Sequence, residues 1–285
     1  MVLFEIVIVN DRLVFLRLQK CASTTISGLL LKTVGGERLE PSHRRIDFDP
    51  GSRFVFASVR DPWSWYLSMW SFGCQGKGLA RRHTGSRPRL RSIGTTLIRE
   101  VKSDRRSLKA ALAEFSAHRS RPVEMYERLY RDVNDVGAFR EWLRIVHDDA
   151  GASDLNPNYF LGSLPAIAGF YTFNYLWLFV RDIVPIQTVG AIKNSDALAT
   201  FDAEQNICDA FVRTDRLSND LPAALTCAGY DMNGELGDRV RAGSAIRANQ
   251  SAHSALIDYF DDSAVELVAG RDALIIAKHQ FKFGE

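Results

Sequence analysis

No glycine precedes the first candidate phosphate-binding lysine, no cysteines are paired, and no apolar run is long enough to span a bilayer. Each absence removes a class. The four cysteines (Cys21, Cys74, Cys208 and Cys227) form no C-x-x-C pair and no metal-ligand spacing, which argues against a zinc ribbon, a thioredoxin-like redox site and a disulfide scaffold. Reduced thiols in a cytoplasmic protein are the expectation, with Cys21 read as a small filler. The most apolar later stretch, Gly169–Val180, is too short to cross a membrane and closes on Arg181-Asp182. The first nine residues contain Glu5, lack a basic leader and run into Asn10-Asp11-Arg12 and a second apolar segment. They read as one arm of a hairpin rather than a signal peptide. A net charge of +2 gives no bulk attraction to a polyanion, so no nucleic-acid partner is expected.

What is present reads as an α/β chain. Leu13–Leu18 is almost wholly large or β-branched, as suits a buried parallel strand. A polar link, Gln19–Thr25, follows, and then Ile26–Lys32 carries Ile26, Leu29 and Leu30 at helical spacing, stopped by Gly35-Gly36. Phe54–Val59 repeats the buried-strand pattern, and Pro62 just beyond it suits the first turn of a helix through Trp63–Phe72. Trp63, Trp65, Tyr66, Trp70 and Phe72 on that helix read first as core and second as an adenine-stacking surface. Residues 73–94 are rich in glycine and cations and contain no acid, which predicts a loop. Ser103–Ala117 and Val136–Asp148 read as helices, Ser153–Pro165 and Gly234–Asn249 as loops. Glu204–Arg213 reads as a helix running into a strand, with helices at Asn219–Cys227 and Ser263–Leu274. The whole, 1–285, reads as a single α/β domain built on a central, mostly parallel sheet flanked by helices, with 73–182 a mostly helical insertion.

Two strand-to-helix junctions carry chemistry. At the first, Lys20 stands beside Cys21, Ala22, Ser23, Thr24 and Thr25 at a helix start. Backbone N–H groups at a helix N-terminus, joined by hydroxyl donors and a lysine, form an anion cradle. The order differs from a Walker loop, which sets glycines before the lysine and a magnesium-binding hydroxyl directly after it. At the second, Arg60 ends a strand and Ser68 follows eight residues on (68 − 60 = 8). A guanidinium there can fork two hydrogen bonds onto a phosphate. The bland readings are an exposed lysine before a capped helix, and an Arg60 paired with Asp61 or with a carbonyl.

Taken together, Phe15-Leu16-Arg17-Leu18-Gln19-Lys20-Cys21-Ala22-Ser23-Thr24-Thr25 and Phe54–Val59 running into Arg60-Asp61-Pro62-Trp63, with Ser68, resemble the sulfotransferases that use 3′-phosphoadenosine 5′-phosphosulfate (PAPS). The flavour is that of their carbohydrate-type branch, including Gly169–Tyr175. The segment Phe211–Leu221, the Asn249-x-Ser251 loop and the Phe281–Glu285 ending extend the likeness. The resemblance implies a P-loop-like sulfotransferase fold and a co-substrate, PAPS, handled without metal. It implies that Lys20 and the Cys21–Thr25 loop bind the 5′-phosphosulfate, Arg60 and Ser68 the 3′-phosphate, and Asn249 and Ser251 a further edge of the cofactor. The acceptor it implies is a hydroxyl-bearing molecule, a sugar or an anionic or lipid-linked compound, with 73–182 on the acceptor side.

An acceptor hydroxyl needs a general base near neutral pH, and histidine suits that pH. His43, shortly before the Arg60 strand, is the expected base, with His83 and His253 as competitors. The cationic stretch Lys77–Arg91 reads as a solvated face or as a cover for an anionic acceptor. Two other classes stay open: a P-loop kinase-like phosphotransferase, and a non-catalytic nucleotide- or glycan-binding module.

Overall fold

The computed structural model describes residues 7–39, 46, 48–85, 122–160, 162–245 and 255–284. Two compact units emerge. One comprises residues 1–61, 174–183 and 200–251; the other comprises 62–173, 184–199 and 252–285.

The first unit is built on a five-stranded sheet. Its strands are β1 (Val7–Val9), β2 (Leu13–Leu16), β3 (Glu37–Leu39), β4 (Phe54–Val59) and β5 (Ala210–Arg213). Their spatial order is β3-β1-β2-β4-β5. β1 pairs antiparallel with both β2 and β3, whereas β2–β4 and β4–β5 are parallel. The sheet is therefore mixed, and the expectation of a mostly parallel one is corrected. The Asn10-Asp11-Arg12 turn makes β1 and β2 a hairpin, and the Asn10 side-chain oxygen accepts from the Arg12 and Leu13 amides to fix it.

Helices cover both faces. Ile26 and Leu30 of helix Ser23–Thr33, and Leu221 and Leu225 of helix Leu217–Cys227, bury one face around Phe15, Phe56 and Val212. On the other, Phe211 packs against Tyr175 and Phe179, ring centroids 5.4 and 5.7 Å away. Paired residues on adjacent strands share a face, so Phe15, Phe56 and Ala210 point one way and Leu16, Ala57 and Phe211 the other. Helix Glu235–Ala245 lies in a stretch read from the sequence as loop. Its buried seam is Gly237, Val240 and Ser244, a narrow stripe that the surrounding polar residues conceal.

The second unit is helical and aromatic. Helix Pro62–Cys74 buries Trp63, Trp65, Tyr66 and Trp70, the core reading of those rings. Trp65 stacks on Tyr171 at 4.5 Å, and Trp70 meets Phe139 edge-on at 5.4 Å. Helix Val136–Val146 falls where its periodicity predicts, capped by Asp135, whose carboxylate accepts from the Ala138 amide. Two loop expectations are corrected here. Leu79–Thr84 is a short helix, and 153–165 carries the end of helix Asp149–Leu155, then Pro157–Phe160 and the 3₁₀ turn Leu164–Ala166. The final helix is broken into Asp262–Arg271 and Ala273–His279 by a buried Asp272. The expected helix Ser103–Ala117 lies outside the described residues. Among the described residues, no helix is long and apolar enough to cross a membrane.

Candidate functional site

Three parallel strands, β2, β4 and β5, end side by side at one edge of the sheet. In open α/β sheets that edge is where ligands bind. The register aligns Leu16 with Ala57 and Val59 with Arg213. The Lys20 loop therefore leaves β2, Arg60 follows β4 and Arg213 closes β5, all within the first unit. The sequence-predicted neighbours Lys20 and Arg60 thus follow adjacent strands at the same edge.

The loop has an unusual backbone. Lys20 and Ala22 both adopt left-handed conformations, with φ of 67° and 53°. A side chain there costs on the order of 1 kcal/mol or more per residue, so the conformation persists only where its surroundings enforce it. Cys21, between them, is anchored from both sides. Its amide donates to the Leu18 carbonyl at 3.4 Å, and its carbonyl accepts from the buried Ser58 hydroxyl of β4 at 2.5 Å. Its side chain is buried, as the small-filler reading expects.

Ala22 is the N-cap of helix Ser23–Thr33 and offers no side-chain acceptor. The first intrahelical bond begins at Ile26, whose amide donates to the Ala22 carbonyl. The amides of the first turn consequently face the loop without a cap, and no acid occupies that turn to neutralise them. Left-handed residues interleaved with ordinary ones turn successive N–H groups into a concavity suited to an anion. Ser23 and Thr25 are half-buried there and Thr24 is exposed. This donor set fits a phosphate or phosphosulfate group.

Arg60 is half-exposed at its strand end. Beside it the β5 terminus is tied down. The Arg213 guanidinium forks onto Asp215, Nη2 to Oδ2 at 2.7 Å and Nε to Oδ1 at 3.2 Å, while its backbone amide donates to Asp220 Oδ2 at 2.9 Å. Partial burial alone would raise the Asp215 carboxyl, but the Arg213 hydrogen bonds and the charges of Arg213 and Arg216 hold it below the usual range. The Phe211–Leu221 segment was readable as part of the resemblance; this ion pair within it was not singled out. The sequence signal was available, since Arg213 and Asp215 alternate across a strand end.

Ser68 is buried on helix Pro62–Cys74, 4% exposed, in the second unit. His43, Asn249 and Ser251 lie outside the described residues, as does His253. His83 is half-buried, with Nδ1 2.6 Å from the Leu155 carbonyl oxygen. Among the described residues, no group of three or more His, Cys, Asp or Glu side chains is placed to hold a metal ion. No family model, curated protein or solved structure matches the chain.

Proposed function

We propose that the chain is a sulfotransferase that moves a sulfuryl group from PAPS to an acceptor hydroxyl. The observation that carries the reading is the uncapped, left-handed Lys20–Ala22 turn at the start of helix Ser23–Thr33, with Arg60 following the adjacent parallel strand. The first feature suits the phosphosulfate end of the nucleotide, and the second adds a cation for its other phosphate. The finer P-loop-like sulfotransferase fold and the carbohydrate-type branch belong to this proposal and rest on the sequence resemblance.

In the proposed reaction the acceptor oxygen attacks sulfur in line. An O–S bond forms as the bond from sulfur to the bridging oxygen of the 5′-phosphate breaks, and 3′,5′-ADP departs with that oxygen's negative charge. Lys20 and the amides of Ala22–Thr25 stabilise the growing charge, an electrostatic role already in place before the reaction. Arg60, with Ser68 as the resemblance implies, grips the 3′-phosphate; Asn249 and Ser251 complete the cofactor contacts. The acceptor proton passes to His43, the base assigned from the sequence. Such a base contributes about two to four orders of magnitude in rate.

Thermal unfolding with nucleotides tests the reading. Stabilisation by 3′,5′-ADP without magnesium is expected, together with transfer of labelled sulfate from PAPS to a hydroxyl acceptor. Stabilisation by magnesium–ATP alone would instead identify a kinase-like phosphotransferase. Binding of 3′,5′-ADP with no turnover on any acceptor would identify a non-catalytic module.

A further inference from the structure

Ser58 is a polar residue in an apolar strand: its neighbours in β4 are Phe54, Val55, Phe56, Ala57 and Val59, and it is itself fully buried. Strand alternation sets it on the face of Phe56, and the β4–β5 register pairs it with Val212 of the same buried cluster. A hydroxyl in that setting costs stability unless it is bonded. It donates to the Cys21 carbonyl at 2.5 Å, across 37 residues of sequence. A buried strand thus spends its polar side chain on one carbonyl of the Lys20 loop.

That carbonyl belongs to the peptide joining Cys21 to Ala22. In a planar trans peptide the C=O and the N–H point in opposite directions. A Cys21 carbonyl aimed at β4 therefore turns the Ala22 amide away from β4. The same peptide sets the φ of Ala22, which is left-handed at 53°. Flipping the peptide would carry that φ out of the left-handed region and relieve its cost, while presenting a carbonyl oxygen where the N–H had been. The net worth of a buried hydrogen bond and the cost of a left-handed alanine are of the same order, so one bond can decide between the two orientations.

We infer that Ser58 is a positioning residue for the proposed transfer, holding the Cys21–Ala22 peptide with its N–H toward the phosphosulfate and its oxygen toward the sheet. This rests on the nucleotide reading proposed above. Ser58 touches no reacting atom and acts through the loop. It also lies two residues before Arg60 on the chain (60 − 58 = 2). One strand therefore orients the donor at one end of the nucleotide and roots the cation assigned to the other.

The test uses the full chain and isothermal titration calorimetry with two probes, 3′,5′-ADP and 3′-AMP, the second lacking the 5′-phosphate. Ser58→Ala should bind 3′,5′-ADP about tenfold more weakly, because only loops with the peptide correctly turned are competent. Its affinity for 3′-AMP should stay within about twofold of wild type. Ser58→Thr and Ser58→Val share one shape and differ in the hydroxyl, so Ser58→Thr should bind 3′,5′-ADP the more tightly of the two. That pair decides the matter should Ser58→Ala fail to fold. Unchanged 3′,5′-ADP affinity in Ser58→Ala would overturn the assignment, as would equal binding by Ser58→Thr and Ser58→Val. Equal losses for both nucleotides would overturn it too, since they describe a general loosening of the sheet. Wild-type protein that fails to bind 3′,5′-ADP would sink the nucleotide reading and this assignment with it. Binding by wild type with an unaffected Ser58→Ala would sink the assignment alone.

Discussion

Replacing Asp272 with asparagine should make the protein lose stability in mild acid faster than the wild type. Asp272 is fully buried in the second unit, where Oδ2 accepts from the Tyr66 hydroxyl at 2.8 Å. Oδ1 accepts from the Thr172 amide and hydroxyl at 2.8 and 2.7 Å. Burial pushes its carboxyl up from 3.8 to about 6, against the opposing pull of those hydrogen bonds and of Arg271. Against the Tyr66 ring, centroids 4.7 Å apart, lies buried His147, with Nδ1 2.7 Å from the Leu143 carbonyl oxygen. Burial drives its imidazole down from 6.5 to about 4.

The two groups act in opposite directions. A carboxyl whose folded pKa is raised stabilises the fold below its unfolded value, and that contribution disappears as pH rises through about 6. An imidazole whose folded pKa is lowered stabilises the fold above 6.5, and that contribution disappears as pH falls toward about 4. Between about pH 7 and pH 4.5, each is worth about 2–3 kcal/mol at roughly 1.4 kcal/mol per pH unit, so the pair nearly cancels. Asp272→Asn removes the compensating half. From about pH 7 to about pH 4.5, the variant should lose about 2 kcal/mol more than the wild type. Urea unfolding at the two pH values measures this directly, with contributions from all other carboxylates common to both proteins. Parallel stability–pH curves would refute the argument.

The loop reading makes Lys20→Ala inactive in sulfate transfer from PAPS, and Arg60→Ala weaker for 3′,5′-ADP by about tenfold or more in calorimetry. Unchanged 3′,5′-ADP affinity in Arg60→Ala would remove Arg60 from the site. Ala22→Gly should raise the ligand-free melting temperature, since glycine adopts the φ of 53° without the roughly 1 kcal/mol penalty of a side chain. Gly237→Ala should destabilise by about 1–3 kcal/mol in urea unfolding, because the new Cβ would lie 1.9 Å from the Met232 carbonyl oxygen, with backbone on both sides of the clash.

The sequence was most readable where burial and periodicity agree. Phe54–Val59 is a strand at the bounds its apolar run predicts, and helix Ser23–Thr33 grows from the Ile26 and Leu30 spacing. β3 escaped because Glu37–Leu39 is an exposed three-residue strand that, among the described residues, pairs with β1; its one apolar residue, Leu39, makes no pattern. The mixed sheet follows from that omission and from the short hairpin. Helix Glu235–Ala245 escaped because its glycines look like loop residues. Gly237 fits under the Met232 carbonyl, and a Cβ at Gly243 would lie 2.5 Å from Leu29 Cδ1, so both serve close packing. In the candidate site, residue order alone suggested Lys20 and Arg60. The left-handed turn at Lys20 and Ala22 depends on long-range anchoring, including the Ser58–Cys21 bond across β4, which no local pattern reports.

Because β1 sits between β3 and β2, the strand that leads into the Lys20 loop is an interior member of the sheet, flanked by β1 and β4. Its main chain is held from both sides, which restrains the loop at its root against sideways drift. Cutting away Val7–Val9 would therefore do more than shorten an arm. It would expose the donors and acceptors along β2, invite another chain to pair there, and loosen the platform from which the loop departs.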